Sequence, residues 1–376
     1  MFSTLASFAS VMTTILYVIL AIVVLMVMIT IHELGHYTIG KIFKFKINEF
    51  SIGFGKAIFS HKCKSGEIFS IRLIPLGGYC AFAGEDEDAK DVEGAFNTKP
   101  PWQRLLVQLG GVLFNFLSAI IFAFILLVSF GYDIYKVDNV GAQYQAQAEA
   151  GHYDIVQSSD VILAVDDKKV SFVEGNTFTG LIENYKVGDT FSLTVRRDGQ
   201  EIVLDNVTKY YRINEEGQYI DKEGNVIPLE EADKTGVLGV TQISPYRYSF
   251  IEAVANCVPL TGAMAWKVLE FLGQLITGKV GLSDVGGPIT TISTMAEYSQ
   301  TNIANLFVFL PFIAVNLAVF NILPIPSLDG ARMVFTTIEW IRRKPINRKV
   351  EGYIHFVGLM LLLAFVVIVD IYHLII

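Results

Sequence analysis

The sequence predicts a multi-pass α-helical membrane protein with four transmembrane helices, a membrane-associated β-hairpin or small sheet, and one extracytoplasmic α+β domain. Three observations predict it. Of 376 residues, 52% are hydrophobic and only 18% charged, a balance rare in soluble domains of this length. Four nearly uncharged runs, residues 11–31, 105–132, 303–325 and 354–376, are long enough to cross a hydrocarbon core, which takes roughly 20 helical residues. Between the second and third runs, alternating apolar and polar residues with turn signals mark strands. The first run has no basic segment ahead of it and is too long for a cleavable signal peptide, so it reads as a span.

Charge sets the orientation. Residues 37–104 hold ten Lys or Arg, and the short loop 331–350 holds six: Arg332, Arg342, Arg343, Lys344, Arg348 and Lys349. Both loops are therefore expected on the cytoplasmic side. Residues 131–302 count 13 basic against 24 acidic side chains and are expected outside, as are both termini. Within them, 250–277 is apolar but interrupted by Glu252, Lys267 and Glu270, which predicts an amphipathic helix on the outer surface and not a fifth span. Asp370 and His373 are expected at the membrane interface. Membrane lipid is thus one expected partner. Nucleic acid is not, because no basic cluster exists beyond the membrane-flanking charges. Cys63, Cys80 and Cys257 are widely spaced and form no CxxC pair, so neither a disulfide framework nor a thiolate metal site is indicated.

The stretch MITIHELGHYTIG, residues 28–40, closes the first run with ionisable groups for which a lipid-facing helix has no use. On a helix His32 and His36 are i and i+4, so both imidazoles leave one face and can share a single zinc, with Glu33 beside them in reach of water. A catalytic zinc takes three protein ligands and keeps one position open. His61, His152, His355 and His373 occur in no comparable context, so a carboxylate is the better third ligand. NILPIPSLDG, residues 321–330, ends the third run with Asp329 as its only acid. Both runs head inward, which brings the two motifs to one depth. Pro324 and Pro326 break the helix there, and broken backbone at membrane depth lines a watery cavity. The expectation is one zinc per chain on His32, His36 and Asp329. A silent membrane scaffold would have no need of Glu33 between two ligands, and no downstream ExxxD or ExxxH lies at a suitable membrane depth to offer another third ligand.

Together HELGH and NILPIPSLDG resemble the site-2 protease family of intramembrane zinc metalloproteases, in particular its bacterial members that regulate sigma-factor signalling and carry an outward PDZ region. The resemblance spans nearly the whole chain. EFSIGFGKAIFS and IRLIPLGGYC are similar to the strand-forming loop after the catalytic helix, GGVLFNFLSA to the glycine and asparagine motif of the second span, and GGPITTI to a segment ahead of the third. Gly111 stands where the family usually has proline, a departure expected to alter helix geometry while Asn115 is kept. The resemblance implies His32, His36 and Asp329 as zinc ligands, Glu33 as general base, and Asn321 as an amide that contacts substrate backbone or the developing oxyanion. It also implies cleavage of single-pass transmembrane proteins, anti-sigma factors or remnant signal peptides, in a bacterial plasma membrane. The cut would fall near the cytoplasmic side, after another protease has shortened the outer part.

A peptide bond in a transmembrane helix is guarded by its own hydrogen bonds, so the substrate must be unwound into an extended segment whose freed polar groups need partners. The β-rich runs flanking KSGE, residues 64–67, read as a hairpin whose edge either receives that strand or stands alone. Gly53 and Gly55 permit close backbone approach; with Asn115 and Pro324 they complete the expected substrate-contacting set. Residues 140–240 resemble a single PDZ domain, with RDGQ, 197–200, as a hairpin turn. Its departures are HYDIVQSSD, 152–160, in place of a short linker and glycine, and Asp166 with Asp167 in place of Asn-Gly. Such a domain either binds peptide or filters by size. Residues 212–236 are expected to form a solvated acidic loop.

Overall fold

The computed structural model describes all residues except 1, 86–91, 215, 217, 222–224, 233–236 and 376. In chain order it contains α1 (Phe2–Ile42), β1 (Ile47–Lys62), β2 (Ile68–Phe82), α2 (Pro101–Ser129), β3 (Tyr135–Val140), α3 (Ala142–Gly151), β4 (Val161–Val165), β5 (Lys168–Lys169) and α4 (Phe178–Glu183). There follow β6 (Thr190–Arg197), β7 (Gln200–Thr208), α5 (Leu229–Ala232), β8 (Val240–Pro245), α6 (Phe250–Ile276), α7 (Pro288–Thr301), α8 (Ala304–Ile322), α9 (Asp329–Arg342) and α10 (Arg348–Ile375). The chain divides into two compact units, residues 1–123 with 264–376, and residues 124–263.

Among the described residues, four helices are long and apolar enough to cross a membrane: Val11–Ile42 of α1, α2, α8, and Arg348–His373 of α10. Their bounds differ from the expected runs for physical reasons. α1 continues to Ile42, well past residue 31, because His32 and His36 are buried against other helices and the polar stretch need not leave the helix. α8 stops at Ile322, ahead of Pro324, which has no N–H to continue the ladder. Residues 331–350, expected as a loop, are largely the helix α9, whose Ala331 and Thr336 are buried while Val334, Ile338 and Ile341 are exposed. Periodicity outweighed the charges there. α9 is held to α2 by a buried Arg104–Glu339 ion pair at 2.7 Å and by Gln108 donating to Thr336 Oγ1 at 3.1 Å. Asp370, expected at the membrane interface, has a partner within the protein. It is buried, and its carboxylate accepts from the Thr290 N–H and hydroxyl, each at 3.3 Å, capping α7 from α10.

β1 and β2 pair antiparallel, but both strands bend. Residues 57–62 pair with 72–68, and 47–52 with 82–78, while 49–52 also lie beside 68–71 in step, Glu49↔Ile68 to Ile52↔Ile71. Two long strands thus make four short segments, in the order 57–62, 68–72, 47–52, 78–82. The outer two are edges. Gly53 and Gly55 occupy the bend at φ +87° and +82°. A Cβ on Gly53 would stand 2.7 Å from the Ile74 carbonyl oxygen and 2.9 Å from that of Arg72, so the close approach this glycine serves is to β2 itself. Glu67, just after the KSGE turn, is buried and accepts from Lys41 Nζ at 2.7 Å, Ser65 Oγ at 2.8 Å and Tyr37 OH at 3.1 Å. Burial alone would raise its carboxyl, yet these donors hold it down at about 2, and they tie the sheet to α1.

The second unit holds an antiparallel sheet of order β7-β6-β4-β3-β8, with β5 beside β4. Its core is Val137, Ile162, Val165, Leu193, Val195 and Val207, with Phe178 from α4 against it. RDGQ forms the β6–β7 turn, with Asp198 at φ +51° and Gly199 at φ +81°, the signature of a two-residue hairpin loop. Asp166 and Asp167 take the same left-handed conformation between β4 and β5, and Asp166 accepts from the Ser192 N–H at 2.7 Å. Ser159 stands at φ +79° where a glycine was expected, beside Asp160, which is wholly buried and bound by both arms of Arg197 at 2.7 Å. The acidic stretch 212–236 lies partly outside the described residues. Its described part makes bridges Ile213↔Tyr219 and Ile220↔Val226 and buries Ala232.

Candidate metal centre

Three side chains from distant parts of the sequence converge in the first unit. His32 and His36 project one turn apart from α1, and Asp329 is the first residue of α9. His32 Nε2 is 2.9 Å and His36 Nε2 3.2 Å from Asp329 Oδ2, and the two Nε2 atoms are 3.1 Å apart. Donors held at about 2.0–2.1 Å by one tetrahedral ion lie roughly 3.3 Å from each other, so the triangle has the size of a shared small cation. Among the described residues it is the one group of three or more His, Cys, Asp or Glu side chains able to hold an ion together.

The surroundings select the lone pair on each ring. The His36 Nδ1–H donates to the Val107 carbonyl at 2.8 Å, which leaves Nε2 free to bind. His32 Nδ1 lies 3.1 Å from the Asn115 side-chain amide, whose Oδ1 is buried without a hydrogen bond among the described residues in the orientation that points Nδ2 at the ring. Turning the amide lets Oδ1 accept from His32 Nδ1–H, satisfying both atoms and freeing His32 Nε2 as well. Both partners come from α2, which glycines bring close. A Cβ on Gly35 would collide with the Gly110 backbone, and one on Gly110 would stand 2.7 Å from the Gly35 oxygen. One on Gly111 would stand 2.5 Å from both His32 Cε1 and His36 Nε2. Gly330 likewise lets α9 begin against the carbonyls of Ile322 and Leu323, where a Cβ would collide. If Asn115 orients His32, Asn115→Leu weakens zinc retention about 10- to 100-fold without unfolding the chain, as chelator competition would register.

Residues 20–365 match Peptidase family M50. The chain belongs to that family, the site-2 proteases. Among relatives of this M50 peptidase, a Clostridium perfringens protein is 29% identical over 95% of this chain and 98% of its own length. One from Fusobacterium nucleatum is 30% identical over 94% and 96%, and one from Agrobacterium fabrum 27% over 93% of each. The names of all three describe a zinc metalloprotease. The M50 peptidase is accordingly a membrane protein and a zinc metalloprotease, with zinc as its cofactor.

Other expected site residues of the M50 peptidase fall in different places. Glu33 is half-buried on α1 and makes no hydrogen bond or ion pair among the described residues; its Cγ lies 3.5 Å from where a Cβ on Gly78 would stand, beside the edge segment 78–82. Asn321, in the last turn of α8, is half-buried, and Pro324 is exposed in the break before α9. Asn115, expected to touch substrate, is wholly buried and faces His32. Gly53 serves the bend of the sheet. The departure at Gly111 leaves α2 a continuous helix, with the residue directly against the imidazoles. Sequence reading missed Gly35, Gly78 and Gly330. The only signal for them was glycine beside a motif or inside an apolar run, which without a fold has no direction.

Proposed function

We propose that this M50 peptidase is an intramembrane endopeptidase that cuts single-pass membrane proteins within their apolar segment. The observation that carries the reading is the convergence of His32, His36 and Asp329 at the end of a long apolar helix, with Glu33 next to them and in no hydrogen bond or ion pair among the described residues. His32 Nε2, His36 Nε2 and Asp329 Oδ2 hold the zinc. When bound, zinc polarises the scissile carbonyl and makes water nucleophilic at neutral pH. Glu33 accepts the proton of the attacking water and returns it to the departing amine. Asn321 supplies a neutral donor to the developing oxyanion.

The substrate enters as a strand. Segment 78–82 is paired on one side only among the described residues, and Gly78 places it beside Glu33, which supports strand addition there and not at the opposite edge, 57–62. A photoreactive side chain at position 81 is expected to capture substrate, and one at position 59 not to; the reverse pattern contradicts the assignment. His36 lies about 9 Å along α1 from its end at Ile42 at 1.5 Å per residue. That depth and the flanking basic residues support a cut toward the cytoplasmic side of a bacterial plasma membrane. Mapping the products of a purified single-pass substrate by mass spectrometry tests this. Cleavage inside the apolar segment, near its basic flank, is expected; cleavage confined to the soluble flanks contradicts it.

In the cell the substrates are anti-sigma factors or remnant signal peptides, cut after a first protease has trimmed the outer part. The PDZ-like unit excludes bulky ectodomains and so enforces the order. Deleting residues 140–240 is then expected to permit cleavage of an untrimmed substrate, and strict dependence on prior trimming in that variant contradicts the filter.

A further inference from the structure

Asp329 follows a segment without regular structure, residues 323–328, between α8 and α9. Local bonds shape part of it: Ile325 N–H donates to Leu323 O at 2.7 Å, and Leu328 N–H to Ile325 O at 3.1 Å. Ser327, two residues before the ligand, stands at φ +78°, a left-handed conformation that a side-chain-bearing residue keeps only where its surroundings impose it. The turn 325–328, with Pro326 at its second position, puts Ser327 in that conformation, and α10 holds the turn from outside. The Ser327 N–H donates to His355 Nδ1 at 2.9 Å. The His355 ring packs against Phe335 of α9 with centroids 5.5 Å apart. One turn further along α10, Gly358 lies against Pro326, where a Cβ would collide with the proline ring. A histidine with no place in the metal motifs therefore grips the backbone next to the third ligand.

We propose that His355 is a positioning residue for the metal centre. By accepting the Ser327 N–H it fixes the turn that sets Asp329 Oδ2 against His32 and His36 Nε2. The proposal rests on the reading of Asp329 as a zinc ligand. It differs from a packing role in a testable way, because the acceptor atom matters and not only the ring. Phenylalanine at 355 keeps an aromatic ring for Phe335 but has no acceptor. Asparagine loses the ring but places Oδ1 near the former position of Nδ1.

The test uses full-length, zinc-loaded protein in detergent: native, His355→Phe, His355→Asn and Asp329→Asn. Zinc loss to a chelator, kcat and KM on a single-pass substrate, and the thermal unfolding midpoint are measured for each. His355→Phe is expected to lose zinc about 10- to 100-fold more readily and to drop kcat about tenfold, with KM and the unfolding midpoint close to native. His355→Asn is expected to recover most of both. Native zinc retention and turnover in His355→Phe, while Asp329→Asn loses both, overturns the positioning role and leaves the ligand reading standing. Failure of His355→Asn to the same degree as His355→Phe also overturns it. A native chain without zinc, or an Asp329→Asn variant that holds zinc as tightly as native, removes the ligand reading and the proposal with it.

Discussion

Glu33→Gln is expected to abolish cleavage of a single-pass substrate while leaving one zinc bound per chain. Glutamine keeps the shape of the side chain but cannot accept a proton, and loss of a positioned base costs about 10²- to 10⁴-fold in rate, or roughly 3–5 kcal/mol of barrier. The substitution should leave the fold alone, because Glu33 makes no hydrogen bond or ion pair among the described residues whose loss could be felt. Metal analysis and product formation on the same preparation separate the two effects. Cleavage that survives places the base elsewhere. Zinc that is lost would mean that the carboxylate helps to hold the ion.

Gly111→Val is expected to have an effect as large by the opposite route. The new Cβ would stand 2.5 Å from His32 Cε1 and from His36 Nε2, a distance that real carbon atoms do not tolerate. The rings are backed by Asn115 and the Val107 carbonyl and have no room to retreat together. They must rotate out of the triangle or α2 must move away from α1, whose nearest approach is already backbone to backbone at Gly35 and Gly110. Zinc content should fall below stoichiometric and activity with it, with the chain still inserted in the membrane. Full zinc occupancy in this variant would mean that the ion does not sit between these two histidines.

What could be read from the sequence depended on how local the cause was. HELGH was legible because helical spacing alone puts His32 and His36 on one face, and Asp329 because it is the only acid in a broken stretch that topology brings to the same depth. The RDGQ turn and the four apolar runs are equally local. α9 was misread as a loop because six basic residues in and after it signalled a cytoplasmic connection more loudly than its periodicity signalled a helix. Asp370 and His355 were passed over for another reason. Each acts through a partner far away in sequence, Thr290 and Ser327, and nothing near either residue announces that partner. Asn115 was recognised as notable but given substrate as its contact, since only the crossing of α1 and α2 turns it toward His32.

X-ray absorption at the zinc edge of the purified, zinc-loaded protein reads the metal's donors themselves and not the consequences of binding. One ion per chain is expected in a shell of nitrogen and oxygen donors at about 2.0–2.2 Å, with the multiple scattering of two imidazoles and no sulfur. A sulfur donor at about 2.3 Å, which would bring in a cysteine, or a shell without imidazole would contradict the assignment of His32, His36 and Asp329.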